Sequence, residues 1–268
     1  MDIDWELLLE IHKDMPRQGS GRNKYTQKAF EMIPKIKNPK ILDIGCGPGM
    51  QTIKLAKLSD GKVIGIDIFE QYLNQLREII KKEKLEGRVK AENMSMLEIK
   101  YPNEYFDIIW AEGSIFVIGF EKGLVEWKKY IKPGGYMAIH DMTWLKDNPP
   151  QELKDFFKKA YPMMNTIKTG IEKIEKSGYK LLGYFPLPDD AWWDLYYNPL
   201  EKRLKNLKIK FKNNPKAMQM IKDEELEINL FRKYNSWYGS VFFVMQKKRL
   251  NLTKKIKKKI RYHIDHYN

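Results

Sequence analysis

The chain has 268 residues, of which 43% are hydrophobic and 13% aromatic, and this composition excludes a disordered protein. No apolar run reaches the ~18 residues of a membrane-spanning helix, and the acidic N-terminus predicts no signal peptide. The only cysteine, Cys46, excludes an intrachain disulfide and a multi-thiolate metal site. We therefore expect a cytoplasmic protein without a metal centre.

The net charge of +14 is unevenly distributed, because residues 247–268 hold nine Lys or Arg against one acid and contribute +8 of it. Leu252, Ile256 and Ile260 recur at helical spacing, which predicts a basic amphipathic helix. Such a helix could contact nucleic acid or an anionic membrane surface. The alternative, which we favour, is a solvated terminal extension.

Residues 1–38 precede the first predicted strand, and we interpret them as an N-terminal helical and lid segment. Residues 14–25 are rich in glycine and polar side chains, which is typical of a loop that closes over a ligand. Arg17, Gln18 and Gly19 are the candidate contacts in this loop. An ordinary connecting loop is an equally good interpretation.

The first strand, predicted over residues 40–44, runs into a glycine-rich turn with the sequence Asp43-Ile44-Gly45-Cys46-Gly47-Pro48-Gly49. A second apolar strand, predicted over residues 62–66, is followed directly by Asp67. A strand, a glycine turn, a helix and a strand that ends in an acid together make a nucleoside-binding βαβ unit. A tight turn that binds no ligand is the alternative.

The spacing of the glycines indicates which nucleoside is bound. A dinucleotide fingerprint requires glycine at position 50, where this chain has Met50, and the third glycine is Gly49 instead. No phosphate-binding Gly-Lys-Ser/Thr run follows the strand. The resulting G-x-G-x-G, preceded by an acid, resembles motif I of the class I S-adenosylmethionine (SAM) dependent methyltransferases.

The resemblance implies SAM as the cofactor and gives roles to individual residues. Asp43 would serve the amino-acid end of SAM, and Asp67 would accept both ribose hydroxyls. The loop after the third strand would hold adenine through Ser95 and Met96, although many relatives have Asp at the position of Ser95. The full set of implied cofactor contacts is Asp43, Gly45, Cys46, Gly47, Gly49, Asp67, Ile68, Ser95, Met96, Glu112, Arg17, Gln18 and Gly19.

The remainder of the chain alternates between strands and helices, which predicts an α/β fold. The further predicted strands are 88–92, 105–110, 135–140, 179–186 and 238–246. We expect a Rossmann-like, seven-stranded, mostly parallel sheet with helices on both faces, and the resemblance implies an antiparallel seventh strand between the fifth and sixth. An apolar stripe that ends at Ile131 predicts a helix, which Pro133-Gly134-Gly135 then ends before the fifth strand.

The loop after the fourth strand, Ala111-Glu112-Gly113-Ser114, lies beside the transferred methyl group in the resembled architecture. It lacks the Asn/Asp-Pro-Pro-Tyr/Phe motif of amino-methyltransferases that act on adenine or glutamine. The single cysteine also argues against cytosine-C5 and arsenite methylation. The pattern most resembles the small-molecule branch related to ubiquinone/menaquinone-biosynthesis methyltransferases.

Three residues are candidates for catalysis. His140 and Asp141 end the predicted fifth strand, and an imidazole there could remove a proton from an attacking hydroxyl or amine. Glu112 is a second candidate, either as a base or as an anchor for a substrate amine. The alternative for His140 is a polar strand end that packs and hydrogen-bonds, and we weigh the two equally.

Residues 187–237 form a connection longer than the usual strand-to-strand loop, and it opens with an aromatic run. The candidate substrate contacts are Trp192, Trp193, Tyr196, Tyr197 and, from the N-terminal segment, Tyr25. Aromatic rings could box a cationic amine. We slightly favour the alternative, in which these rings anchor a helical subdomain onto the sheet.

These patterns divide the chain into five parts, which are 1–38, 39–186 (the SAM-binding core), 187–237 (a helical insertion), 238–246 (the last core strand) and 247–268 (the basic tail). They predict an enzyme that transfers the sulfonium methyl of SAM to an O, N or C atom of a small molecule. The alternative is an RNA or protein methyltransferase that uses the basic tail to dock its substrate.

Overall fold

The computed structural model describes residues 4–249, so most of the predicted basic tail lies outside the described residues. The described residues include eight strands: β1 Lys40–Ile44, β2 Lys62–Asp67, β3 Val89–Asn93, β4 Phe106–Glu112, β5 Ile131–Trp144, β6 Asn165–Thr166, β7 Tyr179–Pro186 and β8 Tyr238–Lys247. The seven predicted strands are all present. The two-residue β6, which pairs with the far end of β5, is too short to leave a sequence pattern.

The helices lie between and beside these strands. They are α1 Trp5–Ile11, α2 Asn23–Phe30, α3 Met50–Leu58, α4 Glu70–Lys82, α5 Phe120–Lys128, α6 Gln151–Ala160, α7 Ile167–Lys176, α8 Asp190–Trp192, α9 Asn198–Lys210 and α10 Pro215–Tyr234. A 3₁₀ turn covers Ile115–Val117, and a π-helical turn, Trp193–Tyr197, joins α8 to α9. Within residues 4–249, no helix has the length and apolarity to cross a membrane.

The sheet has the strand order β3-β2-β1-β4-β5-β8-β7. Strands β1 to β5 pair in parallel, and β8 runs antiparallel to both β5 and β7. The predicted α/β class and the inserted antiparallel strand are both confirmed. The strand order reverses at β1 and β4, and ligands of open α/β sheets bind beyond the carboxyl ends of the strands at such a point.

One predicted boundary is wrong. Helix α5 ends at Lys128, and Ile131 is the first residue of β5 rather than part of the helix. The segment Pro133-Gly134-Gly135 lies inside β5, where the pairing with β4 is shifted. Pro133 has no N–H for a ladder hydrogen bond, so the strand tolerates it only in this irregularity.

Side chains alternate between the two faces of the sheet. On β4, Ile108 and Trp110 pack into the core on one face, and Ile109 and Ala111 pack into the core on the other. By the same alternation, the polar residues Asp43, Glu112, His140 and Ser240 lie on the face of Trp110, and Asp141 lies on the opposite face. Residues of α1, α2 and α8–α10 cover the first of these faces. The fold therefore gathers four separate polar residues beneath one set of helices.

Candidate functional site

The glycine-rich turn joins β1 to α3 at the switch point of the sheet. Gly45, Gly47 and Gly49 all have positive φ, with values of 68°, 52° and 89°. At Gly49 a Cβ atom would also lie 2.2 Å from Cδ1 of Leu76 on α4. Glycine is required at Gly49 for two reasons, the backbone conformation and the close approach of a helix.

Asp67, the acid at the end of β2, is held against this turn. Its Oδ2 accepts a hydrogen bond from the backbone N–H of Gly47 at 2.9 Å, and its Oδ1 accepts one from the N–H of Phe69 at 3.0 Å. Burial raises the pKa of the Asp67 carboxyl. Each carboxylate oxygen retains a further lone pair, so the group can still accept two hydroxyl hydrogen bonds.

Two exposed apolar side chains follow the carboxyl ends of β2 and β3. Ile68 is 53% exposed and Leu97 is 65% exposed, although both side chains are large and apolar. Between them, the Ser95 hydroxyl accepts a hydrogen bond from the N–H of Leu97, and the carbonyl of Met96 accepts one from the Trp127 indole. The Ser95 hydroxyl is therefore partly engaged by its own turn. Exposed apolar side chains at the mouth of a crevice are suited to a flat hydrophobic ligand.

A buried ion pair ties the N-terminal segment to the end of β4. Nη2 of Arg17 donates to Oε2 of Glu112 at 2.9 Å, and the two side chains are 6% and 0% exposed. Oε1 of the same carboxylate accepts from the hydroxyl of Thr26 at 2.7 Å and the indole N–H of Trp110 at 2.9 Å. The Glu112 carboxylate, held by Thr26 and Trp110, therefore fixes the position of the Arg17 guanidinium.

Three buried polar atoms near this ion pair have no hydrogen-bond partner within residues 4–249. They are Nη1 of Arg17, Oδ1 of Asp43 and Nδ1 of His140. Oδ2 of Asp43 accepts from the hydroxyl of Thr52 at 2.5 Å, so only its second oxygen is unpartnered. Buried polar groups normally find partners, and an unsatisfied one costs ~1–3 kcal/mol. We call the region at the carboxyl ends of the strands that holds Asp43, Asp67, Glu112 and His140 the chamber. A guanidinium donor and a carboxyl acceptor left unpaired there are complementary to a ligand that carries both a carboxylate and an ammonium group.

His140 lies beyond the ion pair, opposite Glu112 in the β4–β5 register. Its Nε2 lies 3.2 Å from the hydroxyl of Ser20, which lies 2.8 Å from that of Ser240. Burial, with a smaller effect of the Arg17 charge, lowers the pKa of His140 to about 3. The imidazole is therefore neutral. Its surroundings suit a hydrogen-bonding group better than a general base.

Asp141 does not join this group. Its carboxylate accepts a hydrogen bond from the Tyr161 hydroxyl at 2.8 Å on the other side of β5, and burial raises its pKa to about 7. The side chain of Cys46 also points away, since its Sγ lies 3.0 Å from where a Cβ of Gly65 would be. The backbone of Cys46 lies in the turn, and the catalytic role of Asp141 and the cofactor role of Cys46 stay predictions.

The segment that contains Arg17 lies over the chamber. Oε1 of Gln18 accepts from the hydroxyl of Tyr72 at 2.9 Å, and Cγ of Gln18 is 3.9 Å from where a Cβ of Gly47 would be. Gly19 has no atom within 4 Å of an added Cβ. Arg22 is paired with Asp190 on α8. Residues 17–22 therefore link the glycine turn to the helices that cover the sheet.

Comparison with known proteins identifies the family. The methyltransferase domain family matches residues 35–203, which is more than half of the chain. The chain belongs to this family. Among curated relatives, the 27-O-demethylrifamycin SV methyltransferase of Amycolatopsis mediterranei (strain S699) is 30% identical over 117 residues, which are 43% of each chain. The chain spans less than half the length of five curated relatives that it matches, between 42% and 47%.

Solved structures share the fold. A SAM-dependent methyltransferase from Geobacter sulfurreducens, in complex with S-adenosylhomocysteine, has a TM-score of 0.77 at 13% identity and covers 91% of this chain and 98% of its own. The [4+2]-cyclase SpnF has a TM-score of 0.73 at 14% identity and covers 91% and 92%. Since a cyclase has the same fold, the fold alone does not define the chemistry. The ubiquinone/menaquinone branch stays a prediction.

The aromatic run that opens the helical insertion lies mainly in the interior of the protein. Trp192 is 2% exposed, and its ring lies 5.3 Å from that of Tyr197 and 4.5 Å from that of Phe231 on α10. Tyr196 stacks on His12 at 6.2 Å. The anchoring role that the sequence favoured describes these positions well. Contact with a substrate stays a prediction for Trp192, Trp193, Tyr196 and Tyr197.

Tyr25 has a similar anchoring contact. Its hydroxyl donates to the carboxylate of Asp190, the same group that pairs with Arg22 and Lys24. This contact joins α2 to α8, and the predicted substrate role of Tyr25 stays a prediction. The sequence did not predict several hydrogen-bonding residues of the chamber, which are Ser20, Thr26, Thr52, Trp110 and Ser240. Only Thr52 had a local signal, since it follows the glycine turn by three positions.

Two buried and two half-buried carboxyl groups determine how the stability of the protein depends on pH. Burial raises the pKa to about 7 in each of Asp43, Asp141, Glu224 and Glu227. Because the folded state holds these protons more tightly than the unfolded state, stability falls as pH rises from about 4, the pKa of an unfolded carboxyl, to about 7, and it levels off above the folded pKa. The lowered pKa values of the buried His12 and His140 have the opposite effect on stability. They destabilise the fold as pH falls below ~6.5, where the histidines of the unfolded chain take up protons.

We therefore expect the midpoint of urea unfolding to fall between pH 6.5 and 8, in the range where the four carboxyls lose their protons and unfolded histidines are already neutral. Tryptophan fluorescence at fixed ionic strength provides the measurement. An Asp43→Asn variant should show a shallower decline than the wild type. A midpoint that is constant or rises over this range would contradict the burial of these groups.

Proposed function

We propose that this protein transfers the methyl group of SAM to an O, N or C nucleophile of a small molecule. The observation that carries the proposal is the arrangement of Asp67 against the left-handed glycine turn, with the N–H of Gly47 on one carboxylate oxygen. Family membership provides the reaction class. When bound, SAM supplies an activated sulfonium methyl that a nucleophile attacks in line, with S-adenosylhomocysteine as the leaving group.

The residues of the chamber fit both ends of SAM. Asp67 would bind the ribose hydroxyls, and the exposed Ile68 and Leu97 would flank the adenine. Nη1 of Arg17 is free to bind the carboxylate of the methionine moiety, and Oδ1 of Asp43 is free to accept from its ammonium group. A zwitterion would thus satisfy two of the three unpartnered buried atoms. Glu112 acts as a positioning residue because it holds Arg17 in place.

The third unpartnered atom, Nδ1 of His140, lies on the acceptor side in this proposal. A neutral imidazole can orient a hydroxyl or amine without taking its proton. The main work of the protein is then alignment and the exclusion of water, which together supply up to ~7–11 kcal/mol of the barrier in favourable cases. The chamber lies beneath residues 17–22 and α8, and such cover suits a small acceptor better than a macromolecule.

The direct test is turnover. Release of S-adenosylhomocysteine should be measured across a panel of small hydroxyl, amine and activated-carbon acceptors, and compared with RNA and protein substrates. We expect turnover with at least one small acceptor, and unchanged turnover after removal of residues 250–268. A strict requirement for RNA or for the tail would favour the alternative in which the tail docks a macromolecule.

Asp67→Ala should weaken the binding of SAM. Loss of two hydrogen bonds to a charged acceptor costs ~1.5–3 kcal/mol, or roughly 10- to 150-fold in Kd. Equilibrium dialysis with labelled SAM gives the measurement, and the exposed Glu86→Ala serves as a control because Glu86 lies far from the turn in the loop before β3. Equal affinities of the two variants would contradict the assigned ribose contact.

His140→Ala should weaken the interaction with the methyl acceptor and leave the binding of SAM nearly unchanged. We expect kcat/KM for the acceptor to fall ~10-fold, which corresponds to the loss of one hydrogen bond, with little change in the Kd of SAM. His140→Gln, which retains a hydrogen-bonding side chain, should recover part of the loss. If kcat/KM were normal in both variants, His140 would have no role in acceptor binding.

The cytoplasmic location predicted from the sequence remains part of this proposal. It is supported by the single cysteine. Cellular fractionation of the tagged, full-length protein tests it, and recovery from a secreted or membrane fraction would contradict it.

A further inference from the structure

A cavity of about 290 Å³ lies outside the chamber, between the N-terminal segment and helix α9. Its inner wall is formed by residues 13–16, which directly precede Arg17, and its outer wall by one face of α9. The lining residues are Lys13, Asp14, Met15, Pro16, Pro199, Lys202, Arg203, Asn206 and Leu207. Asp14, Met15 and Pro16 belong to the predicted lid loop 14–25, but the sequence predicted no ligand contact for any residue of this lining.

The charge of the lining is predominantly positive. It includes three cations, Lys13, Lys202 and Arg203, against the single acid Asp14. A second acid, Glu10, does not line the cavity, but its Oε1 forms salt bridges with Nη2 of Arg203 at 3.7 Å and with Nζ of Lys210 at 2.6 Å. Among residues 4–249, neither Lys13 nor Lys202 forms a salt bridge. The lining therefore carries a net positive charge, although Arg203 shares Glu10 with Lys210.

Arg203 is held in a fixed orientation. Its Nε donates to the carbonyl of Ile11 at 2.7 Å, and its Nη2 donates to that of Glu10 at 2.6 Å, so the guanidinium caps the end of α1. Its Nη1 makes no hydrogen bond to the described part of the chain. A pre-positioned guanidinium with a free nitrogen loses little entropy when it binds an anion.

The remainder of the wall is apolar. Met15, which is 4% exposed, and Leu207, also 4% exposed, form part of it together with Pro16 and Pro199. Cations at one side and apolar groups at the other suit a ligand with an anionic group and a hydrocarbon portion. A volume near 300 Å³ is at the lower end of the range for small-molecule sites.

We propose that this cavity binds the phosphate group of an amphipathic small molecule, with Arg203, Lys202 and Lys13 on the phosphate and Met15, Pro16, Pro199 and Leu207 on the hydrocarbon portion. Asn206 adds an amide that can donate to a phosphate oxygen. The phosphate belongs either to the methyl acceptor or to a separate effector. The site is built from residues other than those of the SAM chamber, so the proposal does not depend on SAM binding.

The cavity adjoins the segment of the chain that contacts the chamber, so an occupant can affect SAM binding through this segment. Residues 15 and 16 separate the cavity from Arg17, whose guanidinium is paired with Glu112, and from Gln18 beside the glycine turn. A phosphate bound by Lys13 and α9 would hold the N-terminal segment in the arrangement described above. Linkage then requires that phosphate and SAM strengthen each other's binding by the same factor.

Pyrophosphate and inorganic phosphate serve as probes in calorimetry on the full-length protein at low ionic strength. We expect saturable pyrophosphate binding with a Kd below ~1 mM. Lys202→Glu should weaken it at least ~10-fold. Lys205→Glu, an equal charge change at an exposed position on α9 outside the lining, should weaken it by less than ~2-fold. Thermal unfolding of both variants confirms that each is folded.

Absence of saturable binding up to ~10 mM, or equal weakening in the two variants, would overturn the proposal. Asp67→Ala should leave pyrophosphate binding intact, so failure of SAM binding and failure of this site are distinguishable. The two sources of the phosphate are also separable. Pyrophosphate that competes with the acceptor indicates that the acceptor carries the phosphate, and pyrophosphate that lowers the Kd of SAM without competing indicates an effector.

Discussion

Replacement of Arg17 by Met should lower the free energy of unfolding by about 3–5 kcal/mol, the cost of leaving one partner of a buried ion pair uncompensated. The Glu112 carboxylate is 0% exposed, and Arg17 is its only cationic partner among residues 4–249. Methionine roughly retains the length of the side chain, so the loss reports mainly the charge. Urea unfolding monitored by tryptophan fluorescence measures it.

A double variant that removes both charges provides the control. In Arg17→Met/Glu112→Gln both charges are removed, and the amide oxygen of the introduced glutamine would still accept from Thr26 and Trp110, so much of the stability should return. The double variant should nevertheless bind SAM weakly, because Nη1 of Arg17 is lost. If the single and double variants were equally unstable, the ion pair would not be the source of the effect.

Gly49→Ala should be the second most damaging single change, with a loss of about 2–5 kcal/mol. A non-glycine residue in the left-handed region costs ~1–2 kcal/mol, and a Cβ 2.2 Å from Cδ1 of Leu76 adds the ~1–3 kcal/mol of an overpacked core. Since Gly49 precedes the first residue of α3, we expect both the unfolding midpoint and the affinity for SAM to fall.

Gly19→Ala is the matched control, because it adds the same methyl group at a position with no atom within 4 Å. It should leave the unfolding midpoint nearly unchanged. In Gly49→Ala/Leu76→Ala, removal of the Leu76 branch relieves the contact but creates a cavity, so at most part of the stability should return. A Gly49→Ala variant as stable as Gly19→Ala would contradict the described packing of α4 on the turn.

The sheet could be predicted because its signals are local. Apolar runs followed by glycine or acid, such as 40–44 with its turn and 62–66 with Asp67, define both the strand and its carboxyl end. The bulge at Pro133 could not be predicted in the same way. It depends on the shift of β5 against β4, which is a property of the pairing and leaves only an ambiguous Pro-Gly-Gly in the sequence.

The same distinction applies to the site. Asp43 and Asp67 are close to the turn in sequence, so their positions follow from the motif. The partners of Glu112 and His140 do not, because Arg17 is 95 positions from Glu112 and Ser20 is 120 positions from His140. Only the folding of residues 12–26 over the carboxyl ends of the strands brings them together. A pattern along one chain carries no information on such pairs.

The burial of His140 is a second feature that could not be predicted from the sequence. The sequence identifies a histidine at the end of a strand, and its position predicts access to the crevice. In the structure it is 1% exposed, beside Arg17 and Ser20, and its pKa is lowered to about 3. Whether a histidine acts as a base or as a hydrogen-bonding group depends on burial, which the local sequence does not specify.

A crystal structure of the full-length protein grown with S-adenosylhomocysteine is the most direct test of the central claim. We expect both ribose hydroxyls within hydrogen-bond distance of the Asp67 carboxylate, and the amino-acid end between Asp43 and Arg17. A ligand bound elsewhere on the molecule, or no ligand at the turn when S-adenosylhomocysteine is saturating, would contradict the proposed site.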